Sequence, residues 1–140
     1  MHIHLHPMLV HFPVALFTTA LLLEGIGLFT KKEHFHQAAL NIYILGAVAA
    51  PLAVQTGLWE AQEWHLVKHP VFELHRLFAF ATMFVSLASL PLLLILKEKK
   101  AKSFRKVFII LLILVACLVS SAAYHGGRLI YDYGIGVEQE

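Results

Sequence analysis

Four apolar runs, each long enough to cross a bilayer, leave this chain little choice of fold. They cover roughly residues 9–30, 38–59, 71–96 and 105–130. At about 1.5 Å of rise per residue, about 20 residues of helix span about 30 Å of hydrocarbon. Lipid offers the backbone no hydrogen-bonding partner, so a run of this length must satisfy its own peptide groups as a helix. The expected fold class is all-α: an integral membrane four-helix bundle forming one domain over 1–140. Composition agrees, with 59% of residues hydrophobic and 14% charged, against about a quarter charged in a soluble domain. No repeat, low-complexity segment or linker stands out. The first run is too long, and its approach too poor in basic residues, for a cleaved signal peptide, so it reads as an uncleaved first span.

The polar breaks between runs sort by charge. Lys31 and Lys32 follow the first run, and "KEKKAKSFRK" at 97–106 follows the third. The opposite side holds only Lys68, Arg76 and Arg128. The positive-inside rule then places both basic loops in the cytoplasm, and both termini and the second loop outside. The lysine run is a topology signal, and a nucleic-acid partner is not expected.

Histidine is the residue the pattern does not explain. On that topology His34 and His36 are cytoplasmic, while His2, His4, His6, His11, His65, His69, His75 and His125 lie on the outer side. His11, His75 and His125 fall within three different spans, each about 4–8 Å from the outer boundary. Ionisable residues in spans usually face the bundle interior and mark function. Three imidazoles at one depth form a layer that could ligate iron, zinc or copper. The competing explanations are snorkelling to headgroups, structural hydrogen bonding, and the abundance of histidine here. His6 precedes Pro7, so it is expected just before the first helix or at its cap. Were both His6 and His11 helical, they would stand about 140° apart and face different partners. His65 and His69 are four apart in the second loop, a spacing that suits a metal but more often belongs to an interfacial turn with Trp59 and Trp64 as anchors.

Arg76 follows His75, and Arg128 stands three after His125 on the same helix face. Both oppose the charge asymmetry, and an anionic partner such as a haem propionate would explain them. Pairing with Glu60, Glu63, Glu73 or Asp132, or with lipid phosphate, is the alternative. Glu24, in the inner half of the first span, is expected to be protonated, to pair with Asn41 or to reach the interface. Gly46, Ala47, Ala49, Ala50, Ala53 and Gly57 make the second span small-faced, which favours close packing and also leaves room for a flat cofactor. Gly126 and Gly127 could leave space against a ring. Cys117 is expected to be a packed side chain. No CxxCH motif for covalent haem is present.

Several stretches together resemble a known family: "HPMLVHFPVAL", the small-residue second span ending in "TGL", a histidine opening the third span, and "GGRLIYDYGIGV". The chain resembles a family of small bacterial four-helix membrane proteins known as a domain of unknown function, over nearly its whole length. Relatives of that domain occur fused to c-type cytochrome or Rieske iron–sulfur domains. The resemblance implies a redox role in a bacterial inner membrane, with a b-type haem module foremost. The matching positions are His6, His11, His75, Gly126, Gly127 and Arg128. Members often carry a histidine where this chain has Tyr133.

The expected function is therefore electron transfer by a membrane haem b, bound near the outer face by two imidazoles from facing helices. His11, His75 and His125 are the foremost ligands, His6 an additional one, and Arg76 and Arg128 supports. A quinol or a periplasmic redox protein would be the partner, and the chain need not be an enzyme by itself. A zinc or copper site on His11, His75 and His125, or an accessory subunit with interfacial histidines, are the alternatives.

Overall fold

The computed structural model describes residues 5–135 apart from 64–68 and 101–102. It contains four helices: α1 (Leu5–Thr30), α2 (Glu33–Glu63), α3 (Pro70–Glu98) and α4 (Phe104–Tyr131). All four are long and apolar enough to cross a membrane. Each runs a few residues beyond its apolar stretch, because flanking polar residues continue the helix.

The chain runs up and down. The start of α1 lies against the end of α2 through the His6–Ala53 contact, and the start of α3 lies against the end of α4 through the His75–Ala122 contact. These two ends meet where His6 and His75 approach one another. We call this the histidine end. The other carries Lys31, Lys32, Lys97, Lys99, Lys100, Arg105 and Lys106, and is the basic end. The helices pair as two hairpins, α1 with α2 and α3 with α4, with lesser contact across the seam between them.

Local chemistry sets the helix ends. The His6 backbone N–H donates to Glu60 Oε1 at 2.8 Å, so a side chain of α2 satisfies one of the free amides that open α1. His6 therefore lies inside the first turn of α1, not before it as the following proline suggested; Pro7 is tolerated so early because its missing N–H would have had no helical partner. His69 caps α3, accepting from the Val71 N–H, and Pro70 follows at the first helical position. Gly134, at φ +64°, ends α4: its N–H reaches the Ile130 carbonyl and that of Ile135 reaches Leu129.

The core is uneven along the axis. Its middle is dense: Phe17, Tyr43 and Phe108 pack edge to face at 5.5 and 5.6 Å, among Leu93, Leu112 and Val115. Tyr43 Oη and Ser89 Oγ share a hydrogen bond of 2.8 Å across the seam. Ser89 continues a line of buried hydroxyls on α3, with Ser86 and Thr82, each also donating to its own helix. A smaller cluster of Ala61, Val71, Phe72 and Leu129 closes the histidine end. Large apolar side chains such as Phe29, Leu22, Phe84 and Ile110 point outward, the arrangement of a surface solvated by lipid. Cys117 is exposed among them rather than packed, because its helix turns that face away from the bundle.

Candidate functional site

Between the dense middle and the closing cluster lies a cavity of about 560 Å³. All four helices line it, and its walls are chiefly Val, Ala, Leu and Phe side chains, with Gly57 and Gly126 among them. Two imidazoles enter it, one from each hairpin. His6 Nδ1 donates to the Ala53 carbonyl at 2.9 Å, and His75 Nδ1 donates to the Ala122 carbonyl at 2.8 Å. A carbonyl only accepts, so Nδ1 carries the hydrogen and Nε2 of each neutral ring keeps its lone pair. The ring centroids are 6.0 Å apart and the planes nearly perpendicular, at 82°.

Glycine makes room for both rings. A Cβ on Gly57 would stand 2.8 Å from the His6 ring, and one on Gly126 would stand 3.1 Å from the His75 ring. In each hairpin the accepting carbonyl is four residues before the glycine, and 47 residues separate histidine from carbonyl. Histidine, carbonyl and glycine of the second hairpin (75, 122, 126) follow those of the first (6, 53, 57) by the same shift of 69 residues. The chain thus contains an internal repeat of two equivalent hairpins, contrary to the expectation of none. The surrounding residues have diverged: Pro7 stands opposite Arg76, and Thr56 opposite His125. The match in sequence is sparse: "LH" at 5–6 and 74–75, the later Ala and Gly, and scattered identities such as Lys31 with Lys100 and Phe35 with Phe104.

The layer of His11, His75 and His125 does not close on one point. His11 is exposed, with Nδ1 turned back to the Pro7 carbonyl, although it borders the cavity. The rotation of about 140° between His6 and His11 sends one inward and the other to the rim. His125 stacks on Phe78 at 5.6 Å with planes 3° apart. Its Nδ1 is buried and has no hydrogen-bonding partner among the described residues. Among the described residues no group of three or more His, Cys, Asp or Glu side chains comes together to hold a metal. His2, His4, His65 and Trp64 lie outside the described residues; His69 packs edge to face on Tyr133 at 4.5 Å.

Both arginines have partners on their own helix or its cap. Arg76 pairs with Glu73 and Arg128 with Asp132, each at 2.7 Å and each partly exposed. Exposed pairs of this kind contribute about 0–1 kcal/mol. Arg76 also borders the cavity, whereas Arg128 is not among its lining residues.

The basic end holds a second group. Glu24 is 2% exposed and its nearest charged neighbour is His36, 7% exposed; Glu24 Oε2 and His36 Nδ1 are 2.9 Å apart. The expected Asn41 is exposed and does not reach it. Gly27 gives His36 its place, since a Cβ there would meet the imidazole at 2.7 Å.

The whole chain answers to one family. A family model described as "Predicted membrane protein (DUF2231)" matches residues 2–139, and the chain belongs to that family. No curated protein and no solved structure matches it.

Proposed function

We propose that this chain is a membrane-embedded b-type haem protein that carries electrons, and that His6 and His75 would hold the haem. The observation that carries the reading is the 6.0 Å separation of two imidazoles whose Nδ1 atoms are already committed to carbonyls. That separation leaves room between the rings for one metal ion that both would hold at about 2.0 Å from nitrogen. Ligating histidines commonly donate their other N–H to a carbonyl, which fixes tautomer and ring orientation.

The surroundings fit the group as well. The cavity volume falls within the range of cofactor sites, about 300–1,000 Å³. Its walls are apolar, as a porphyrin face requires, and Arg76 on the rim is a cation suited to a carboxylate. Bound there, a haem b would supply a one-electron couple. The residues of this chain hold the ring planes, exclude water and present two neutral nitrogens. On the positive-inside rule the basic end would lie in the cytoplasm, and the cavity would then face outward in a bacterial inner membrane. A quinol or a periplasmic redox protein would be its electron partner. A zinc or copper site has less support, because His11 and His125 stand apart from the His6–His75 pair.

The test is the visible spectrum of the full chain purified in detergent, with a pyridine haemochrome measurement. The expected result is about one haem per chain, with a Soret band that shifts on reduction. A colourless protein carrying stoichiometric zinc or copper overturns the haem reading.

A further inference from the structure

Glu24 and His36 raise a separate question. An ionisable residue inside a span is costly and usually functional. Here two are buried together, 2.9 Å apart, yet without the alignment of a hydrogen bond. Both carboxylate oxygens and both ring nitrogens are buried with no hydrogen-bonding partner among the described residues. Two of them, Oε2 and Nδ1, face each other as an ion pair, and Oε1 and Nε2 are left over.

The two residues border a cavity, while their polar atoms stay covered. A cavity of about 310 Å³ is bordered by Glu24 and His36 and lies among the groups of the basic end. The charged groups facing the pair are Glu33 on α2, Lys97 and Lys100 at the end of α3, and Arg105 on α4; Arg105 is tied to Glu33 at 2.7 Å. At about 30 Å³ per molecule, the space admits several waters. Beyond the pair, Phe17, Tyr43 and Phe108 close the way. The occupant class follows from charge. A divalent metal would find only two protein ligands, on a rim that carries two lysines. A proton needs only two basic atoms side by side and space beside them for water to deliver it.

We propose that Glu24 and His36 form a proton-binding site, served by water from the basic end. One proton moves from water in the cavity onto the carboxylate–imidazole pair, taking it from net −1 to neutral, and returns by the same route. No other bond is made or broken. The site does not depend on what fills the histidine-end cavity.

Infrared pH-difference spectroscopy of the full chain in phosphatidylcholine nanodiscs tests this, between about pH 5 and pH 8 where an imidazole titrates. Carboxyl and imidazole bands are expected to change together, as coupled groups do. Glu24→Gln should remove the carboxyl band and move the imidazole midpoint. His36→Gln should remove the imidazole band and move the Glu24 midpoint by at least about one pH unit, a tenfold change in proton affinity. Identical difference spectra for wild type and Glu24→Gln overturn the proposal. So does a Glu24 band whose midpoint is unchanged in His36→Gln, or a metal retained by wild type and lost from Glu24→Gln. Should Glu24→Gln fail to fold, the His36→Gln midpoint decides alone.

Discussion

The two ends of the bundle put imidazole to opposite uses. At the histidine end each ring gives its N–H to a backbone carbonyl of its own hairpin and turns the other nitrogen into an apolar hollow. At the basic end one ring sits against a carboxylate within a single hairpin, the two paired at 2.9 Å without an aligned hydrogen bond. The repeat sharpens the contrast. A shift of 69 residues carries His6 onto His75, but it carries Glu24 onto Leu93 and His36 onto Arg105. The hairpins kept one device in common at the end where they must meet. They diverged at the end where each closes on itself. Symmetry here marks a site that needs both halves; its loss marks one that needs only one.

The contrast can be broken by mutation. The largest effect is expected from His6→Ala or His75→Ala, each of which removes half of the symmetric site. Haem content per chain should fall to background in both, while the infrared signature of Glu24 persists. Full haem retention in either variant would show that the ring pair is not the ligand set. Next comes His36→Leu, which leaves the Glu24 carboxylate buried without its imidazole. Breaking one side of a buried pair costs about 3–5 kcal/mol, whereas replacing both sides by apolar groups is often neutral. His36→Leu should therefore destabilise the protein by about 3 kcal/mol in detergent unfolding. Glu24→Leu with His36→Leu should recover most of that, and haem content should stay put throughout. A double variant no more stable than the single would mean that the pair is not an energetic unit.

Smaller effects sharpen the picture of the symmetric end. Gly57→Val should push the His6 ring from its carbonyl and lower haem occupancy about 10-fold, the lower end of what support residues contribute. Gly126→Val should do the same through His75, less severely, since its neighbour is 3.1 Å away and not 2.8 Å. Occupancy titration with added haem measures both. Tyr43→Phe removes the hydrogen bond to Ser89 across the seam, worth about 0.6 kcal/mol on average within membranes; unfolding measurements should register that and the spectrum should not. His11→Ala should leave haem content unchanged, because its ring is exposed and turned to Pro7. A lost Soret band in that variant would return His11 to the ligand set.

Much of the frame was readable in advance. Length and hydropathy alone determine four spans, because lipid leaves the backbone no alternative to helix. The charge of the loops separates the ends. Depth counting brought His75 to the right level, but depth does not say which way a side chain faces. His11 and His75 share a level and face apart, while His6, set outside the helix on the strength of Pro7, proved to be the inward ring. The Glu60 side chain made the difference: by holding the His6 N–H it lets α1 begin earlier than its own sequence suggests. Glu24 found His36 rather than Asn41, since the tight turn at 31–32 sets the two facing helices in a register that no periodicity within one helix reveals. The repeat is hard to see in the sequence because its identities are few and scattered, most of them in apolar residues common to any span. The hydroxyl line of Thr82, Ser86 and Ser89 carries a plain signal, polar residues at i, i+4 and i+7 in an apolar run.

The seam has a consequence for how the protein matures. Each hairpin can enter the bilayer and pair its own helices before the other exists, with its imidazole already anchored. Neither holds a complete ligand set. If the pair holds a haem as proposed, capture of the cofactor would be the last act of assembly, the event that fastens the two units. A chain severed between α2 and α3 should yield two fragments that find each other through the metal they share, so that colour reports completed assembly and not merely synthesis.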